Sequence, residues 1–216
     1  LFENLLLYSR GREMSEKVNL YYAKSLLGSK DYYSAGYQFE SFVKWYPYSK
    51  YAEEALFQAA YCKYLEAPDY TLDQTLTKQS MDAFQEYIEK YPNSERVAEA
   101  NKLMDELREN LIEKDYQNAF NYYKTMQYHA ACVSFKRFLN DYPDVSQKRE
   151  NAMYYIVLAG YKYANNSVED KLKERFEEVI LDYERYSVVF ANMKKKKKRQ
   201  ELENIYNESK IKYNGL

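Results

Sequence analysis

Aligned on the tyrosines of three Tyr-Pro pairs, Tyr46, Tyr91 and Tyr142, the chain repeats one pattern of apolar and polar positions. Seven residues upstream stand Phe39, Phe84 and Phe135. Four upstream are Phe42, Tyr87 and Phe138, and three upstream are Val43, Ile88 and Leu139. A fourth copy, around Tyr183, carries Phe176, Val179 and Ile180, with Glu184 in place of the proline. Offsets of three, four and seven residues lie on one face of an α-helix, which turns once in about 3.6 residues. Eleven upstream come Ala35, Ser80, Ala131 and Leu172, of which the first three are small enough to let a second helix approach closely.

The proline ends each of these helices, because it supplies no amide hydrogen and disfavours helical geometry in the residue before it. A serine follows, Ser49, Ser94 or Ser146, and reads as the N-cap of the next helix. Six residues past each serine is Ala55, Ala100 or Ala152; ten past is Ala59, Met104 or Ile156; thirteen past is Cys62, Leu107 or Ala159. These again share one face. The predicted helices are 2–8, 14–27, 31–46, 50–66, 73–91, 95–125, 127–142, 147–165, 168–184 and 196–213. Loops fall at Gly28-Ser29-Lys30, Ala67-Pro68-Asp69 and Asn165-Asn166-Ser167, the last with Ser167 and Asp170 placed for a capping box. Phe2, Leu5 and Leu6 repeat the tail of a further copy, as though the sequence begins partway through a hairpin.

Composition agrees with an all-α chain: 5 Gly and 4 Pro in 216 residues leave few turns for strands, and 30% of residues are charged. A net charge of −1 gives no global attraction to nucleic acid or to an anionic membrane. No apolar run is long enough to span a bilayer. Cys62 and Cys132 have no ligand-spaced partner and read as small buried hydrophobes, with no metal site and no disulfide between them. The lone His129 has no nucleophile or second histidine at an interpretable spacing. With no glycine-rich phosphate loop and no legible carboxylate pair, no enzyme and no cofactor are expected.

Two features remain for function. The run Met193 to Gln200, "MKKKKKRQ", points lysines in every direction around a helix, so it must be a loop or an exposed first turn. It is either a contact for anionic lipid or an acidic partner, or a solvated stretch balancing nearby glutamates. The final helix recovers amphipathicity through Leu202, Ile205, Tyr206 and Tyr213, as a capping helix should. The 27 tyrosines are the other feature. Tyr21, Tyr22, Tyr61, Tyr64, Tyr122, Tyr123, Tyr154, Tyr155, Tyr161 and Tyr163 fall on the first helices of the hairpins. Such helices line the concave face of a repeat array, so these rings are divided between groove and core.

The Ala35, Phe39, Pro47 spacing, repeated at Ala131, Phe135, Pro143 and partly at Ser80, Phe84, Pro92, resembles the tetratricopeptide repeat. Repeat spacing is longer than that family's, with 45 residues from Tyr46 to Tyr91, 51 to Tyr142 and 41 to Tyr183. The expected fold is a right-handed superhelical array of about five hairpins, one helical-repeat domain over 1–216. Its hairpins are 1–10, 14–47, 50–92, 95–143 and 147–184, followed by a capping helix at 196–213.

The stretches "YPYSKYAEEALFQAAYCKY", "PDYTLDQTLTKQSMDAFQEYIEKYPNSERVAEANKLMDELRENL" and "NSVEDKLKERFEEVILDYERY" go further. Together they resemble the BamD family of outer-membrane assembly lipoproteins in the form found in Bacteroidota. The resemblance implies a non-catalytic scaffold on the periplasmic face of the outer membrane. Such a scaffold is held by an N-terminal lipid anchor that would lie outside this sequence. It implies unfolded outer-membrane proteins as clients of the N-terminal repeats, with Tyr21, Tyr22, Tyr61 and Tyr64 as substrate-groove candidates. It implies docking of the C-terminal repeats on the POTRA region of a BamA-like barrel subunit. By position, Tyr161, Tyr163, Lys195, Lys196, Lys197, Lys198, Arg199 and Tyr206 are the candidates there; the lysine run is no motif of the family. The alternative is another periplasmic tetratricopeptide-repeat adaptor, for example in cell-envelope or cell-wall coordination.

Overall fold

The computed structural model describes residues 14–144 and 146–216. The expected helix 2–8 lies outside the described residues. Among them the regular elements are all helical: α1 (Ser15–Gly28), α2 (Tyr32–Trp45), α3 (Ala52–Glu66), α4 (Thr75–Lys90), α5 (Val97–Lys124), α6 (Tyr128–Asp141), α7 (Ser146–Asn165), α8 (Glu169–Ala191) and α9 (Lys196–Gly215). The chain divides into two compact units, residues 1–111 and 112–216, with the division inside α5.

In the first unit α1 packs on α2, α2 on α3 and α3 on α4. The repeat's apolar face is its core: Phe39, Phe42, Phe84 and Tyr87 are buried together with Ala35, Ala55, Ala59, Cys62, Ala100 and Leu107. Small residues set the spacing. A Cβ on Gly36 would stand 3.2 Å from that of Cys62, so α2 and α3 meet at the glycine. Ser80, in the alanine slot, is fully buried and donates to the Ala60 carbonyl.

In the second unit α6 packs on α7, α7 on α8, and α9 on both α7 and α8. Phe135, Phe138, Ala131, Ala152, Ile156, Ala159, Phe176 and Val179 fill its core. Leu202 and Ile205 of α9 join them, so the final helix closes this unit as its amphipathic pattern predicts.

Three turns and one helix end differ from expectation. Ser49 and Ser94 are not N-caps. Each lies ahead of its helix and accepts a hydrogen bond from the amide two residues on, Tyr51 or Arg96, forming a serine turn. Their hydroxyls then donate to carboxylates on the preceding first helix, Ser49 to Glu16 and Ser94 to Glu53. The expected Ser167–Asp170 capping box is absent too. Val168 is the N-cap and makes no side-chain bond, while Ser167 donates 2.6 Å back to the Tyr163 carbonyl and so closes the end of α7. Finally, α8 does not stop near Glu184. Without a proline nothing interrupts its ladder, and it continues to Ala191, burying Phe190.

Two three-residue connections share a cap. After α1, Lys30 takes φ 64°, and after α5, Met126 takes φ 61°. In each, the following amide reaches back five residues, Asp31 to Leu26 and Gln127 to Tyr122, while the left-handed residue bonds three back. This is the Schellman arrangement.

Candidate binding surfaces

In the first unit, Phe57, Tyr61 and Tyr64 of α3 form a ladder of near-parallel rings. Their centroids are 6.4 and 5.8 Å apart, and each pair is tilted by 14°. The i, i+4, i+7 spacing puts all three on one helix face. Phe57 is buried and presents its edges to Phe84 at 5.8 Å and Tyr87 at 5.3 Å, which fixes the inner end. Tyr64 forms the outer end. Its hydroxyl donates 2.5 Å to Oε2 of Glu106. That bond, with burial second, pushes the phenol up to about 12. A cavity of about 380 Å³ beside it is lined by Tyr64, Leu65, Ala67, Glu106, Leu107 and Asn110.

Tyr61 and Tyr64 are thus brought together. Tyr21 and Tyr22 are not part of the ladder: Tyr21 is exposed on α1 and Tyr22 is half-buried there.

The second unit repeats the ladder. Tyr116, Phe120 and Tyr123 of α5 stack at 6.5 and 6.3 Å, again at i, i+4, i+7. Tyr116 meets Phe135 at 5.7 Å and Phe138 at 5.6 Å edge-on, as Phe57 meets Phe84 and Tyr87. Sequence reading missed Phe57 and Tyr116 as partners. Phe57 precedes its Tyr-Pro tyrosine by 34 residues and Tyr116 precedes its own by 26, because the first of these hairpins carries the insertion at 67–74. Cations cover much of the second ladder: Lys124 lies 4.6 Å from Phe120, and Lys162 lies 5.1 Å from Tyr123 and 5.5 Å from Tyr128.

The C-terminal candidates are dispersed. Tyr161 lies under Lys212 at 5.3 Å and against Phe176. Tyr163 is faced by Arg175 at 4.0 Å and by the His129 ring at 5.0 Å. Tyr206 stacks on Tyr183 at 4.3 Å and donates 2.8 Å to Glu184. The lysine run is a loop and an exposed first turn, as predicted: Lys194 and Lys195 precede α9, and Lys195, Lys196 and Lys197 are exposed. Lys198 is the exception. It turns inward over the Tyr154 ring at 4.2 Å and donates 2.9 Å to Asn151 Oδ1. Burial, and then neighbouring Lys195, hold its ammonium below the usual lysine range. Arg199 is likewise engaged, by the Ala191 carbonyl at 3.3 Å and Glu203 at 3.7 Å.

Both thiols are free, and burial first of all pushes Cys62 and Cys132 up to about 12, so neither ionises at neutral pH. Among the described residues no group of three or more His, Cys, Asp or Glu could hold a metal ion, and no helix is long and apolar enough to cross a membrane.

Paired helices with small residues at their crossings and aromatic ladders on two of the first helices define a helical-repeat protein of the tetratricopeptide type. Within that class, the YfiO outer membrane lipoprotein family matches residues 2–176, and the chain belongs to it. A protein of Caulobacter vibrioides, outer membrane protein assembly factor BamD, is 28% identical over 120 residues. That stretch is 56% of this chain and 39% of the relative, so the chain spans well under half of that protein's length.

Proposed function

We propose that this chain is a non-catalytic scaffold subunit of the machine that assembles outer-membrane β-barrel proteins. It works at the periplasmic face of the outer membrane, held there by a lipid anchor. The N-terminal repeats hold extended segments of unfolded client proteins, and the C-terminal repeats dock on the POTRA region of a BamA-like barrel subunit.

The observation that carries this reading is the Tyr61–Tyr64 ladder within a member of the outer membrane lipoprotein family. Stacked phenols give a peptide a rigid platform at low entropic cost, with hydroxyls at the rim for its backbone. The name of the Caulobacter vibrioides relative supports the assignment to outer-membrane protein assembly. The exposed Lys195, Lys196 and Lys197 support an electrostatic contribution to the C-terminal contact.

The test is recovery of the tagged protein from gently solubilised envelopes, with partners identified by mass spectrometry. Stoichiometric recovery of a POTRA-bearing barrel is expected. Recovery of cell-wall enzymes without such a barrel would overturn the assignment.

A further inference from the structure

Helix α2 and the turn after it expose four aromatic rings that no ladder uses. Tyr33 is 76% exposed, Tyr37 62% and Trp45 58%, and Tyr48, in the turn after Pro47, is 100% exposed. Tyr33, Tyr37 and Trp45 fall on one i, i+4 row of the helix, interrupted only by Ser41. Leaving such rings in water forgoes their burial, so a face built of four of them asks for an occupant.

The residue types point to the occupant. All four are Tyr or Trp, with an apolar ring and a polar hydrogen; the ridge holds no Leu, Ile, Val or Phe. That is the composition favoured where a protein meets the headgroup region of a bilayer, half apolar and half wet. The charge agrees. Lys44, two helical turns from Tyr37, also lines a groove of about 320 Å³ with Lys63 and Lys90. Its carboxylates are Glu40 and Glu86, and Glu40 is occupied by Lys63 at 2.7 Å. Lys44, exposed and next to Trp45 on α2, supplies a cation for a lipid phosphate.

We infer that the α2 ridge of Tyr33, Tyr37, Trp45 and Tyr48 rests on the lipid headgroups of the membrane, as a protein contact separate from any lipid anchor. The inference deepens the scaffold reading: it says which side of the N-terminal hairpin faces the bilayer.

Trp45 is the only tryptophan in the chain and so reports on its own surface. The full purified chain is mixed with vesicles of phosphatidylethanolamine and phosphatidylglycerol, and its emission is followed with and without brominated lipid. A blue shift and bromine quenching are expected. The variant Tyr33→Ser/Tyr37→Ser/Tyr48→Ser, changed only at exposed positions, keeps its helical circular dichroism and binds vesicles roughly tenfold more weakly or worse. Unchanged emission in the presence of vesicles would overturn the inference, as would a triple variant that binds as well as the parent. Emission that shifts with a purified envelope protein but not with vesicles would reassign the ridge to a protein partner and reject the lipid contact. If the envelope pull-down recovers the barrel subunit while vesicles leave Trp45 unmoved, the ridge inference falls and the scaffold assignment stands.

Discussion

The phenol of Tyr142 donates a 2.7 Å hydrogen bond to Oδ2 of Asp115, 27 residues earlier on the first helix of the same hairpin. Its ring packs on Phe138 at 5.3 Å. Tyr46 repeats the arrangement: it packs on Phe42 at 5.2 Å, and its hydroxyl meets Ser15 Oγ at 2.9 Å and Asn19 Nδ2 at 3.5 Å. The tyrosine of the first and third Tyr-Pro pairs therefore does more than precede a helix stop; it ties the end of the second helix to the first. In the hairpin between them the tie moves one turn back, to Tyr87, whose hydroxyl meets Ser94 at 2.7 Å and Glu53 at 3.3 Å. Tyr142→Phe keeps the ring and removes the bond to a charged acceptor. It should cost about 1 kcal/mol, measured as a lower urea midpoint at unchanged slope.

The helix faces were legible because burial and a period near 3.6 agree at every repeat: Phe39, Phe84, Phe135 and Phe176 are all buried. The turns were less so. A serine two residues past a proline can cap a helix or close a turn, and which it does depends on the carboxylates of Glu16 and Glu53, far away in sequence. The end of α8 was misplaced because Glu184 removes the stop signal and nothing local replaces it. Half of the N-terminal candidate site was legible. Tyr61 and Tyr64 share a helix face by spacing alone, whereas the link from Tyr64 to Glu106 crosses 42 residues. The C-terminal candidates were grouped by position in the chain, and position does not say that Lys198 points inward while its neighbours point out.

Phe84 is fully buried at the centre of the first unit, against Phe57. Phe84→Ala leaves a cavity among rigid rings that cannot collapse into it. A loss of about 3–5 kcal/mol is expected, read from thermal and chemical unfolding. A melt indistinguishable from the parent would contradict the packing described.

Gln74 organises the insertion between α3 and α4. Its amide donates to the carbonyls of Asp69 at 2.9 Å and Leu72 at 3.0 Å, and its oxygen accepts from the buried Thr77 hydroxyl at 2.8 Å. Gln74→Ala leaves Thr77 without that acceptor and the loop without its brace. It should cost about 2 kcal/mol and open the 67–74 segment to limited proteolysis ahead of the rest of the chain.

Met126 is exposed and holds a left-handed conformation that a side chain disfavours. Met126→Gly relieves the strain without touching a packed contact, although glycine also loosens the unfolded chain. A net gain of up to about 1 kcal/mol is expected, visible as a higher melting temperature. Lys30→Gly should act in the same direction, since Lys30 occupies the equivalent cap.

The lysine run separates two roles within five consecutive residues. Lys198 stands over Tyr154, with its ammonium bonded to Asn151, and thereby joins α9 to α7. Lys198→Ala should destabilise the fold by on the order of 1 kcal/mol, through the lost cation–π contact and the lost stem packing. Lys195, Lys196 and Lys197 are exposed, and replacing all three with alanine should leave stability within about 0.5 kcal/mol. Their triple variant should instead lose affinity for the barrel subunit. That loss should be largest at low ionic strength and should vanish toward 1 M salt, where the Debye length is about 3 Å. Binding measured against salt for the parent and both variants checks the division. A triple variant that docks as tightly as the parent at low salt would show that the exposed lysines are only a solvated turn. An equal loss of stability in both variants would show that the run acts as one structural unit.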